Sequence, residues 1–217
     1  MITETQNKLL NKHYFVGISL ASGATLDSGA AVIDRNLNII TLDKLFTMDD
    51  VKFFINNFVG KQNAVFNISI PENPTMLNAK WKLYSREYQL IQSSKLIDVE
   101  KLEWTHRFSH RGSEFFRECS KKGIDIFRYD IGELKNSLGL AGMYKDRSPV
   151  DCKFLQSALK FKLKIYDLPA NMIPAAQLEA ILGAYLGYIM STTGNEYEHK
   201  VKSEYQGLSV VGINLLH

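Results

Sequence analysis

Tyr14-Phe-Val-Gly-Ile-Ser-Leu-Ala21 and Ala64-Val-Phe-Asn-Ile-Ser-Ile-Pro71 are the two stretches whose reading decides the fold of this chain. Each is a short β-branched and aromatic run that suits a central strand, and each carries a lone serine, Ser19 and Ser69, near its end. After the first, the turn-rich Ser22-Gly-Ala-Thr-Leu-Asp-Ser-Gly29 leads to a second apolar run, Ala30 to Ile33. Asp34-Arg-Asn-Leu-Asn38 then leads to a third, Ile39 to Leu42. Runs punctuated in this way read as three consecutive antiparallel strands. A helix follows. Thr47 can cap it, Asp49 and Asp50 suit the positive end of its dipole, Val51, Phe54, Ile55, Phe58 and Val59 recur at helical spacing, and Gly60 stops it. The next strand, Asn63 to Ile70, should return parallel to the first and beside it, as a crossover helix dictates.

The second half adds one strand and then helices. Gly123-Ile-Asp-Ile-Phe-Arg-Tyr129 reads as the fifth strand and Ile131 to Leu138 as a short helix. Ser148-Pro149-Val150-Asp151 opens another, with a cap, a proline at the first helical position and an acid in the first turn. Val150, Phe154, Leu155, Ala158 and Leu159 give its buried face, and Lys160, Lys162 and Lys164 crowd the end that the dipole leaves negative. A last helix begins at Pro174, and Gly207 to Ile213 reads as a short strand or extended tail. With no repeat and no linker, residues 1–217 read as a single domain, residues 1–12 as a frayed leader.

The expected class is therefore α/β and ribonuclease-H-like: a mixed five-stranded sheet, three strands antiparallel and then parallel strands, flanked by helices. The pattern Val16-Gly17-Ile18-Ser19-Leu20-Ala21, Ile68-Ser69-Ile70-Pro71, Ala176-Gln177-Leu178-Glu179-Ala180 and Glu204-Tyr-Gln-Gly-Leu-Ser-Val-Val-Gly212 resembles the predicted RNase-H-like nuclease family catalogued as domain of unknown function 429. The resemblance spans most of the chain. It implies aspartates in the first strand where Ser19 stands, in the fourth where Ser69 stands, and in the late helix where Ala176 and Glu179 stand. One acidic position of that set remains. Metal-dependent phosphodiester hydrolysis needs hard oxygen ligands converging on one or two cations, and hydroxyls replace carboxylates poorly because Mg²⁺ dehydrates reluctantly. The expectation is a fold that has kept its shape and lost its metal, with no cofactor; Mg²⁺ or Mn²⁺ belongs only to an active site.

Glu179 is the only charged residue from Leu168 to Asn195. On the helical wheel Leu178, Ile181, Leu182, Tyr185, Leu186 and Ile189 form a broad apolar stripe, and Ala176, Ala180, Gly183 and Gly187 a small-residue stripe nearly opposite. Both stripes need neighbours, and the large one is expected on the sheet. Glu179 falls at the seam between them, either as a rim residue bonded to Ser19, Ser69 or an amide, or as a remaining ligand or recognition group. Glu72, just past the fourth strand, is either a substitute acid or a turn residue.

Composition fits an ordinary globular domain: 217 residues, 45% hydrophobic, with a net charge of +3. The longest uncharged stretch, Ala180 to Asn195, is too short and too interrupted to span a membrane. No signal peptide is apparent, and Cys119 and Cys152 have neither zinc nor disulfide-framework spacing, so the expected compartment is the cytoplasm. From Lys80 to Arg128 there are 11 Lys and Arg against 7 Asp and Glu, interleaved with Trp81, Tyr84, Tyr88 and Trp104. Such a segment suits a single-stranded nucleic-acid surface, with His106, Arg107, His110 and Arg111 placed to grip a phosphate; it suits a core face and solvated rim as well.

Three functions stay open. The first is a non-catalytic RNase-H-like domain kept as a binding or assembly module, possible partners being nucleic acid or further copies of the chain. The second is a metal-dependent nuclease with a site rebuilt around Glu179, Glu72 and Asp27 or Asp34. The third is a structural homo-oligomer subunit. The missing carboxylates favour the first over the second.

Overall fold

The computed structural model describes residues 9–20, 28–46, 50, 53, 54, 56, 57, 63–69, 124, 126–192, 197–205 and 208–215, the last two segments by their backbone. In chain order its elements are β1 (Tyr14–Ser19), β2 (Ser28–Asp34), β3 (Ile39–Leu45), β4 (Ala64–Ser69), β5 (Ile126–Tyr129), α1 (Ile131–Ser137), α2 (Pro149–Phe161), α3 (Ala175–Met190), β6 (Tyr197–Tyr205) and β7 (Leu208–Leu215). Asp50, Phe53, Phe54, Asn56 and Asn57 are helical, where the crossover helix is expected.

The strands form one sheet in the order β3-β2-β1-β4-β5-β7-β6. β1 pairs antiparallel with β2 and β2 with β3, whereas β4 runs parallel to β1 and β5 parallel to β4. This is the ribonuclease-H-like arrangement, with β1 central. The sheet then continues beyond the five expected strands. The stretch read as a short strand or tail, Gly207 to Ile213, falls largely on β7 (Leu208–Leu215), parallel to β5, and Tyr197–Tyr205, not read as a strand at all, pairs antiparallel with it. Its sequence, Tyr-Glu-His-Lys-Val-Lys-Ser-Glu-Tyr, is too charged to show an apolar run, and an edge strand tolerates that composition.

Side chains alternate across the sheet, and Phe15, Gly17 and Ser19 of β1 share one face with Gly29, Ala31 and Ile33 of β2 and Val65, Asn67 and Ser69 of β4. Val16, Ile18, Val32, Phe66 and Ile68, of opposite parity, are buried as well, as expected of inner strands covered on both sides.

α3 lies on the Gly17 face, and it lies low. A Cβ at Gly17 would come 1.8 Å from the Ala180 carbonyl oxygen and 2.4 Å from the Ala184 nitrogen, and one at Gly29 would come 2.1 Å from the Ala176 oxygen. Helix backbone therefore rests directly on strand backbone. The expectation that the large stripe of this helix covers the sheet is thus corrected: the small stripe does. Ala176 and Ala180 meet Gly29 and Gly17, while Gly183 and Gly187 admit the side chains of Tyr129 and Asn67. Leu178, Ile181, Leu182, Leu186 and Ile189 instead join Leu134, Leu138, Leu155 and Leu159 in one core cluster with α1 and α2.

The described part of the expected leader, residues 9–12, makes definite contacts. Leu9 is buried in that same cluster, and Arg35 donates from Nε to the Lys12 carbonyl at 2.6 Å and from NH2 to the Leu10 carbonyl. An apolar anchor and satisfied carbonyls hold residues 9–12 in the packed domain, and residues 1–8 of that leader lie outside the described residues.

Candidate functional site

The parallel register Ile18↔Ile68 brings Ser19 and Ser69, one residue further on, side by side at the ends of β1 and β4. Ser19 is also opposite Gly29, and Ser69 opposite Tyr129. Gly29, Ser19, Ser69 and Tyr129 thus form a lateral row across four strands, on the face that carries α3. Above it Glu179 is 2% exposed, and its Oε2 accepts a 2.7 Å hydrogen bond from the Ser19 hydroxyl. Ser69 is buried beside Ser19. The three residues singled out in the sequence stand at one end of the sheet.

A fourth residue completes the group, and the sequence reading missed it. Arg147 donates from Nε to Glu179 Oε1 at 2.7 Å and from NH2 to Oε2 at 2.5 Å, a two-pronged pairing that matches the fork of a guanidinium to the plane of a carboxylate. Its side chain remains 41% exposed, so it closes the group toward solvent. The carboxylate in turn raises the Arg147 pKa through that hydrogen bond, against the opposing cost of burial. Glu179 is therefore enclosed, bonded to Ser19 and paired with Arg147.

The backbone before α2 is built to hold this arginine. Arg147 sits at φ 60°, a left-handed conformation uncommon for a residue with a side chain. Its N–H donates to Asp151 Oδ2 at 3.0 Å, while the Asp151 N–H donates to the Ser148 hydroxyl at 3.2 Å as a helix cap. Lys135 of α1 braces the turn from below, 2.5 Å from Asp146 and 3.5 Å from Asp151. These contacts hold the backbone of Arg147 in its left-handed conformation. Burial, then the Asp151 charge, push up the thiol of Cys152, next to this turn, which lowers its thiolate fraction.

Tyr129 ties the row to the helix. Its hydroxyl donates to the Glu179 carbonyl at 2.8 Å, through space that exists because residue 183 is glycine, where a Cβ would lie 2.4 Å from the phenol oxygen. Burial, and then the Glu179 and Asp130 charges, raise the Tyr129 pKa well above 10.0. A raised folded-state value means that this contribution to stability is complete below about pH 10 and is lost as the pH climbs beyond it. Tyr129→Phe is expected to cost about 1 kcal/mol at neutral pH. In denaturant melts from pH 8 to 11 its stability should fall less steeply above pH 10 than that of the wild type; parallel curves would refute the assignment.

Other candidates fall elsewhere. Asp34 is at the far end of the β1–β2 pair, opposite Tyr14, where its carboxylate accepts from the N–H groups of Asn36 and Asn38. It is a turn residue, about 17 Å along the strands from the level of Ser19, and cannot serve a site around Glu179. Glu72, Asp27, His106, Arg107, His110 and Arg111 lie outside the described residues. Among the described residues no three His, Cys, Asp or Glu side chains group as a metal site would require. None of their helices is long and apolar enough to cross a membrane.

No protein-family model matches this chain, and no curated protein matches it. Among solved structures, the chain is similar to RuvC from Thermus thermophilus, with 11% identity over 79% of this chain and 93% of that one and a TM-score of 0.41. It is similar too to T. thermophilus RuvC in complex with a Holliday junction substrate, at 9% identity, 81% and 93% coverage and a TM-score of 0.43.

Proposed function

We propose that this chain is a ribonuclease-H-like domain without nuclease activity, retained as a binding or assembly module, in which Arg147 stands where a catalytic cation would. The carrying observation is the double hydrogen bond from Arg147 to Glu179, whose Oε2 also accepts from Ser19. Both carboxylate oxygens are thereby engaged. A divalent cation there would have to displace a guanidinium and then find its remaining ligands among two serine hydroxyls. The residues do not fit a Mg²⁺ or Mn²⁺ site, because such ions are held by several carboxylates.

The substitution also changes what the group can do. A guanidinium supplies one positive charge spread over a plane, holds its proton at any ordinary pH and has no open coordination position. It can neutralise Glu179 or orient a phosphate through an unengaged N–H, but it cannot lower the pKa of a bound water, which is the step that metal-assisted hydrolysis relies on. Binding without turnover is the chemistry left to this arrangement.

The test is direct. Purified protein with Mg²⁺ or Mn²⁺ is expected to leave single-stranded and double-stranded DNA, RNA and RNA–DNA hybrid uncut above background. Robust cleavage abolished by Glu179→Gln would replace this reading with a nuclease rebuilt around that residue.

A further inference from the structure

On its exposed side α2 lines a cleft of about 450 Å³, closed by the segment that leads into α3. Phe161, Leu168 and Met172 give it apolar walls, and among its described lining residues the charged ones are Lys153 and Lys160. Phe161 is 67% exposed and Met172 53%, although both are large and apolar. The large apolar side chains exposed in this concave site offer a partner side chain surface to bury.

The cleft is also preformed. The Gln156 amide nitrogen donates to the carbonyls of Pro169 and Asn171 at 2.7 and 3.0 Å, and its oxygen accepts from the Ile173 N–H at 3.1 Å. One side chain therefore fixes the far wall to the helix. Tyr166, where that wall begins, is bound to the β2–β3 turn, its N–H donating to the Leu37 carbonyl at 2.8 Å and its carbonyl accepting from Ile39 at 3.2 Å. A partner would find its site built, with little ordering cost left to meet.

We infer that this cleft docks an extended segment of a second protein that carries two carboxylates about three residues apart with a large apolar residue between them. The charge follows from the two lysines, which have no acidic counterpart among the described residues of the lining. The spacing follows from geometry: seven residues of helix separate Lys153 from Lys160 by about 10.5 Å, the length of about three residues of extended chain. The apolar side chain between them would meet Phe161, Leu168 and Met172. A base-stacking role is disfavoured, since the ring of Phe161 has the Lys160 ammonium 5.5 Å from its centroid and is the only aromatic ring among the described residues of the lining.

Fluorescence anisotropy on the full chain tests this with three labelled peptides in which Gly-Ser flanks enclose Glu-Phe-Glu, Glu-Leu-Phe-Glu or Glu-Leu-Phe-Gly-Glu. At least one should bind saturably in the micromolar range, and Lys153→Glu combined with Lys160→Glu should weaken it tenfold or more, as should Phe161→Ala. These are exposed positions, so the variants are expected to keep the fold, which circular dichroism checks. No saturable binding by any peptide up to 1 mM, unchanged affinity in the variants, equal affinity for Lys-for-Glu peptides, or displacement by a single-stranded oligonucleotide would each overturn the inference. No lining residue belongs to the Ser19, Glu179 and Arg147 group, so none of these outcomes bears on whether that group binds metal.

Discussion

Gly17→Ala is expected to destabilise this protein by about 3 kcal/mol or more, at the upper end of what overpacking costs. The added methyl would sit 1.8 Å from the Ala180 oxygen and 2.4 Å from the Ala184 nitrogen, and both are backbone atoms that no rotamer change can move aside. Relief requires α3 to rise off the sheet, which would strip contact from the row at the strand ends and lift Glu179 away from Ser19. For a chain of this length the corresponding fall in Tm is about 6–12 °C. Gly29→Ala should behave alike, since its methyl meets the Ala176 oxygen at 2.1 Å. Gly132→Ala, whose methyl would find only the Asp130 side chain at 3.2 Å, is the control and should stay within about 1 kcal/mol of the wild type. A Tm for Gly17→Ala within 2 °C of the wild type would show that α3 does not rest on β1.

Arg147→Ala is the second large effect. Truncation leaves the Glu179 carboxylate buried with the Ser19 hydroxyl as its remaining side-chain donor, and uncompensated charges of that kind cost about 3–5 kcal/mol. Because the Arg147 side chain is itself 41% exposed, water can reach part of the gap, and a loss of about 2–3 kcal/mol is the expected value after that discount. Arg147→Lys should recover less than half of it, since an ammonium cannot meet both oxygens in one plane. The Arg147→Met, Glu179→Leu double variant should be closer to the wild type than the sum of its single variants, with a coupling of about 2 kcal/mol. Additive losses in chemical denaturation would mean that the two side chains do not act as a pair.

The convergence of Ser19, Ser69 and Glu179 was legible in the sequence because period-two alternation and a crossover helix leave little freedom. Two parallel strands that end in the same -Ile-Ser- step must align their serines, and a lone acid in an apolar helix must meet something polar. The partner of that acid was not legible. Arg147 belongs to Tyr144-Lys-Asp-Arg-Ser-Pro149, which reads as solvated turn, and its left-handed backbone leaves no mark on the sequence. A signal did exist: a buried carboxylate in an uncharged run demands a cation, and Arg147 lies just ahead of the start of the preceding helix.

The stripe of α3 was misread for a different reason. Apolar residues cover most of its circumference, so periodicity gave two candidate faces and size suggested the wrong one. The deciding evidence lay in the strands. Gly17 interrupts a run that otherwise favours bulky residues, and glycine inside a strand marks a close approach of another backbone. β6 escaped because charge along an edge strand hides the apolar pattern by which inner strands are found.

Calorimetric titration of Mn²⁺ into the full chain addresses the place of Arg147 most directly. With a guanidinium already paired to Glu179 and serines at the neighbouring strand ends, no saturable binding tighter than millimolar is expected, and Glu179→Gln should leave the isotherm unchanged. A micromolar isotherm of defined stoichiometry that Glu179→Gln removes would contradict it, and would mean that the cation, not the arginine, owns the carboxylate.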